Sequence, residues 1–62
     1  MTTYINKRGN RVYVVETGDG TAYLCECWPQ MGSRPMCGFY ASIDAAQHAL
    51  RKRAKRRGWK EE

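Results

Sequence analysis

Arg11-Val12-Tyr13-Val14-Val15-Glu16, then Thr17-Gly18-Asp19-Gly20, then Thr21-Ala22-Tyr23-Leu24-Cys25-Glu26-Cys27-Trp28 is the stretch on which the fold turns. Its first six residues are rich in β-branched and aromatic side chains and read as a strand. Thr17 to Gly20 reads as a hairpin turn, because both glycines and Asp19 tolerate the positive φ that tight turns demand. Thr21 to Trp28 is the returning strand. Side chains alternate across a strand, so Val12 and Val14 share one face while Arg11, Tyr13 and Val15 share the other. In the returning strand Ala22, Leu24 and Trp28 alternate with Tyr23, Cys25 and Cys27. Both faces therefore carry apolar groups, and one covering helix reaches only one of them. The other face is expected to meet a partner, a second copy of the chain, or bases that stack on Tyr13 and Tyr23.

Working outward, residues 4–8 read as a short first strand or an arm, with Lys7-Arg8-Gly9-Asn10 as a turn. Residues 29–35 read as a loop punctuated by Pro29, Gly32 and Pro35. Met36 to Tyr40 reads as a third, short strand at a sheet edge. Ser42 is a good helix N-cap, and Asp44 sits where the helix dipole favours an acid. Helix is expected from Ile43 through about Arg57, ended by Gly58, with Trp59 folding back towards Ala54. At 100° per residue Ile43, Ala46, Ala49, Leu50 and Ala54 form one apolar stripe, with Asp44, His48, Arg51 and Lys55 opposite. Arg53 and Arg57 fall on the apolar side, which predicts a helix that runs past the sheet edge. The expectation is an α+β fold: a three-stranded antiparallel sheet packed by one C-terminal α-helix, one domain over residues 1–62.

A chain of 62 residues lies near the lower limit for unaided folding, and a core this small rarely supplies more than roughly 3–5 kcal/mol of net stability. The formal charge is +5, and it is unevenly placed. Residues 1–50 carry as many acids as bases, whereas residues 51–60 hold seven bases and no acid. No apolar targeting segment or stretch of membrane-spanning length is present in the sequence, so no membrane partner is expected. Three cysteines, two of them too close along one strand to bridge each other, suit free thiols in a reducing cytoplasm.

Arg51, Lys52, Arg53, Lys55, Arg56, Arg57 and Lys60 form the basic end. Clustered cations neutralise phosphates and release counterions, which makes binding strong and salt-dependent. Two or three bases suffice to complement the C-terminal helix dipole, and here there are seven. A nucleic acid is therefore the expected partner, DNA first and RNA second, with an acidic protein surface or a solvated helix end as the alternatives. Arg11 and Tyr13 on the sheet join the candidate site. Tyr4, Tyr13, Tyr23, Phe39, Tyr40, Trp28 and Trp59 are able to stack on bases, but most must build the core of so small a domain. Arg34, in the loop from Gln30 to Met36, either reaches a partner or sits in an ordinary connection.

Cys25, Cys27, Cys37 and His48 have the residue types of a zinc site. Cys-x-Cys on a strand is a poor chelate, and His48 lies on the outward helix face, so no metal and no cofactor is expected. The single histidine has no nucleophile placed beside it, and Glu16, Asp19, Glu26 and Asp44 form no evident pair. A protein that is not an enzyme is the expectation.

The order of strand, Gly-Asp-Gly turn, strand, Gly38-Phe39-Tyr40 and then Ser42-Ile43-Asp44-Ala45-Ala46 opening a helix resembles a small sheet-plus-helix superfamily. It is similar in pattern, over residues 10–57, to the three-stranded DNA-binding domains of phage integrase arms and plant AP2 factors, and to small bacterial ββα repeats. In integrase arms the sheet enters the major groove, which the resemblance carries to Arg11, Tyr13 and Tyr23. Here the charge sits on the helix instead, a departure from that pattern. The size and the lack of evident chemistry also suit a phage-type inhibitor that blocks a larger nucleic-acid-processing complex of its host. Self-association into a homodimer through Tyr13, Val15 and Tyr23 is a further expectation.

Overall fold

Residues 2–36 and 38–62 are described by the computed structural model. The hairpin lies at its centre. Strands β2 (Arg11–Glu16) and β3 (Ala22–Trp28) pair antiparallel, with Val14 opposite Leu24 and Val12 opposite Glu26. Thr17 N–H donates to the Thr21 carbonyl at 3.0 Å, and Gly18 and Gly20 take φ of 93° and 96°. Asp19 fixes the turn. Its carboxylate accepts from the Thr17 hydroxyl, the Thr21 hydroxyl and the Thr21 N–H. These hydrogen bonds, that from Thr17 first, hold its carboxyl well below the usual carboxylate range.

The sheet has five strands, not three. Around the hairpin stand β1 (Tyr4–Ile5), β4 (Gly32–Pro35) and, beyond helix α1 (Ile43–Arg57), β5 (Lys60–Glu61). Their order is β4-β3-β2-β1-β5, and every pairing is antiparallel. Two of the additional strands are only two residues long, and they exist because β1 bridges its neighbours: Tyr4 faces Val12 on one side and Glu61 on the other.

The expected third strand is displaced. Pairing with β3 begins at Gly32, four residues before Met36, because Pro29-Gln30-Met31 makes a tight turn rather than opening a loop. Met31 N–H donates to the Trp28 carbonyl at 3.3 Å, and Gly32 adopts the left-handed φ of 81° that follows such a turn. Pro35 is tolerated because β4 is an edge strand. Met36 still donates to Leu24 at 2.8 Å, and Tyr40 forms an isolated bridge with Ala22, continuing along the same side of β3. Cys37, within the expected strand, lies outside the described residues.

Helix α1 begins and ends where its caps dictate. Ser42 is extended, and its hydroxyl accepts from Ala45 N–H at 3.1 Å. Gly58 has φ 73°, and Trp59 N–H returns to the Ala54 carbonyl at 2.9 Å. Ala46, Leu50 and Ala54, at intervals of four, are buried against Tyr4, Val12, Val14, Ala22 and Leu24. The alanines let the helix approach closely. Ile43 and Ala49 are only half-buried.

At the helix end Lys55, Arg56 and Arg57 are exposed while Ala54 is buried. Lys7, in the turn between β1 and β2, brings Nζ to 3.4 Å from where a Cβ on Gly58 would stand, and Trp59 packs on the core. The face of the sheet away from α1 has no second layer among the described residues. By register it presents Ile5, Arg11, Tyr13, Val15, Tyr23, Cys25 and Cys27. Tyr23 meets Phe39 edge to face, with centroids 5.6 Å apart. Among the described residues no helix is long and apolar enough to cross a membrane.

Candidate nucleic-acid interface

Glu26 is an acid on the valine face of the hairpin, opposite Val12, and it is only 6% exposed. A carboxylate there must be surrounded by donors. The turn between β1 and β2 supplies them. Asn6 and Asn10 donate through Nδ2 to Glu26 Oε2 at 2.6 and 2.9 Å, and the Arg8 guanidinium reaches Oε1 at 3.3 Å. Asn6 is fixed in turn, since its Oδ1 accepts the backbone N–H of Arg8 at 3.0 Å and of Asn10 at 2.9 Å. Burial pushes the Glu26 carboxyl up, but the hydrogen bonds from Asn10 and Asn6 and the charge of Arg8 outweigh it and hold it below its ordinary value.

Arg8 also lies over the ring of Trp28, its guanidinium carbon 5.3 Å from the centroid. Trp28 is two residues beyond Glu26 on β3 and half-buried, and its Nε1 is buried with no hydrogen-bond partner among the described residues. Beside it opens a groove of about 390 Å³, lined by Arg8, Glu26, Trp28, Arg34, Met36 and Arg53, with Pro35 at its rim. Arg8 continues into a second groove with Lys7, Arg57 and Trp59. A basic track thus follows one flank of the helix, built from the first turn, the edge strand and α1.

The residues expected to bind fall into two groups on opposite sides of the sheet. Arg51, Lys52, Lys55, Arg56 and Arg57 are exposed along α1, and Arg53 is half-buried at the groove. Arg11, Tyr13 and Lys60 belong to the uncovered face: Arg11 and Lys60 both stand opposite Ile5, and Tyr13 contacts the Ser33 hydroxyl at 3.2 Å. Arg11 is engaged as well. Its Nε meets Glu62 Oε2 at 2.6 Å, an interaction that raises the guanidinium above its ordinary value. Among the described residues nothing joins Arg11 and Tyr13 to the helix cations.

No motif in the sequence singles out Arg8, Glu26 and Met36 as site residues or connects Trp28 and Arg34 to them. The one signal is the parity of β3. Glu26 shares the core side of β3 with Leu24 and Trp28, so it demands donors, and the Asn6–Asn10 turn is the nearest source. Of the candidate zinc ligands, Cys25 is buried and Cys27 half-buried on the face away from α1, whereas His48 is exposed on the helix, and Cys37 lies outside the described residues. The chain matches no family model, no curated protein and no solved structure.

Proposed function

We propose that this is a small, non-enzymatic nucleic-acid-binding protein whose C-terminal helix takes up backbone phosphates, DNA before RNA. One observation carries the reading. Among the described residues the ion pairs are Arg8 with Glu26 and Arg11 with Glu62, so all six cations of α1 lack an acidic partner. Six uncompensated charges within seven residues repel one another and draw counterions, which a polyanion displaces with a gain in entropy. Arg8 and Arg34 extend the same surface past the helix flank.

The test is the salt dependence of binding to labelled DNA and RNA. Each neutralised phosphate adds about 0.9 to the log–log slope on duplex DNA, so replacing Arg53, Arg56 and Arg57 together by glutamine should lower the slope by about 2–3. Retention on heparin should fall in parallel. If the wild-type protein ignores heparin and every nucleic acid offered, the reading fails, and the basic helix belongs to an acidic protein surface instead.

A further inference from the structure

The geometry points to the groove between α1 and the β3–β4 hairpin as the seat of an unpaired nucleotide, held in a single strand with its phosphates on Arg34 and Arg53 and its base against Trp28 and Met36. This rests on the phosphate-binding reading above and narrows it to single-stranded nucleic acid.

Charge comes first. Arg34 and Glu26 share the helix side of the sheet, being opposite in register, but Glu26 is already saturated by Asn6, Asn10 and Arg8. Arg34 and Arg53 therefore face the groove with no acidic partner among the described residues. Shape comes second. The arginines line a recess of about 390 Å³ instead of crowning a ridge, and that volume is in the range of ~300–1,000 Å³ that encloses a nucleotide-sized group. A duplex is too wide to enter a recess of that volume. The third argument is the stacking surface. Trp28 and Met36 give the groove its apolar part, and the Arg8 guanidinium over the Trp28 ring adds a plane on which an unpaired base stacks, whereas paired bases keep their faces inside the duplex.

The experiment compares a labelled twelve-nucleotide single strand with a hairpin duplex containing the same sequence, by fluorescence anisotropy at two salt concentrations. The single strand should bind at least about tenfold more tightly, as expected where stacking adds to phosphate contacts. Arg34 lies on an exposed edge strand and its side chain makes no hydrogen bond among the described residues, so the fold of Arg34→Gln should survive, which circular dichroism checks. It should weaken the single strand about five- to tenfold and lower its salt slope by about 0.7, with less than a twofold effect on the duplex. Lys55→Gln, on the outer helix face, should weaken both probes by a common factor. Trp28→Phe should remove the fluorescence quenching that the single strand produces, with Trp59 left to report the fold. Duplex binding as tight as single-strand binding, or an equal loss on both probes for Arg34→Gln, overturns the groove assignment while leaving the phosphate reading in place. Binding to neither probe overturns both.

Discussion

Glu26 stands directly opposite Arg34 in the β3–β4 ladder, yet its ion pair is with Arg8, 3.3 Å away in the first turn. The choice follows from burial: Glu26 is enclosed, and Arg8 approaches together with two asparagine donors that Arg34 cannot replace. The edge-strand arginine is thereby left to the groove.

This network predicts how stability depends on pH. Glu26 has a folded pKa held below its ordinary value, so its contribution is fully present above the unfolded carboxylate range and is lost as pH falls through the folded value. Glu26→Gln should be less stable than wild type at neutral pH, and the gap should close on acidification. Glu26→Ala, which strands the Asn6 and Asn10 donors, should cost about 2–3 kcal/mol. Urea denaturation between pH 7 and pH 3 measures both, and a constant gap across that range contradicts the assignment.

Leu50 is fully buried between Ala46 and Ala54, at the centre of the helix–sheet contact. Its truncation to alanine should cost about 2–5 kcal/mol, comparable with the whole stability expected of a domain this size. Leu50→Ala should therefore be largely unfolded at 25 °C by circular dichroism. Ser42→Ala, which removes only the cap on Ala45 N–H, should cost about 1 kcal/mol and leave a cooperative transition.

Gly58 is the hinge between α1 and β5, with φ 73°. A Cβ there would meet only the flexible end of Lys7, at an ordinary contact distance, so any penalty comes from the backbone. Gly58→Ala should cost about 1–2 kcal/mol through the left-handed conformation. Hydrogen exchange should show the loss first at Glu62 N–H, which bonds Thr3 at 2.9 Å and depends on β5 being docked.

The hairpin and the helix were legible because local signals agreed there: turn glycines between β-branched runs, and a serine cap, apolar stripe and glycine stop in register with one another. The outer strands were not. Lys60-Glu61 has no strand propensity and pairs only because Gly58 turns the chain back onto Tyr4-Ile5. Gly32-Ser33-Arg34-Pro35 reads as loop, and its pairing is decided by a turn at Pro29–Met31 and by an open edge on β3. The helix cations could be read from charge alone. Their neighbours in the groove could not, since Arg8, Arg34 and Arg53 are far apart in sequence and meet only through the sheet order.

Arg11 decides whether the two sides of the sheet act together. It lies on the face away from α1, paired with Glu62, so its charge is already matched and its side chain is aimed along the C-terminal strand. A polyanion on the helix flank would not reach it. Arg11→Gln should therefore change the affinity for any nucleic acid less than twofold and shift the salt slope by less than about 0.5, against the fall of about 2–3 for the Arg53, Arg56 and Arg57 triple variant. Its exposed ion pair contributes little to the fold, so the comparison is not confounded by unfolding. The measurement is a salt titration of both variants on one probe. Should Arg11→Gln abolish binding while the triple variant binds normally, the uncovered sheet face with Tyr13 and Tyr23 is the docking surface, and the helix charge serves something else.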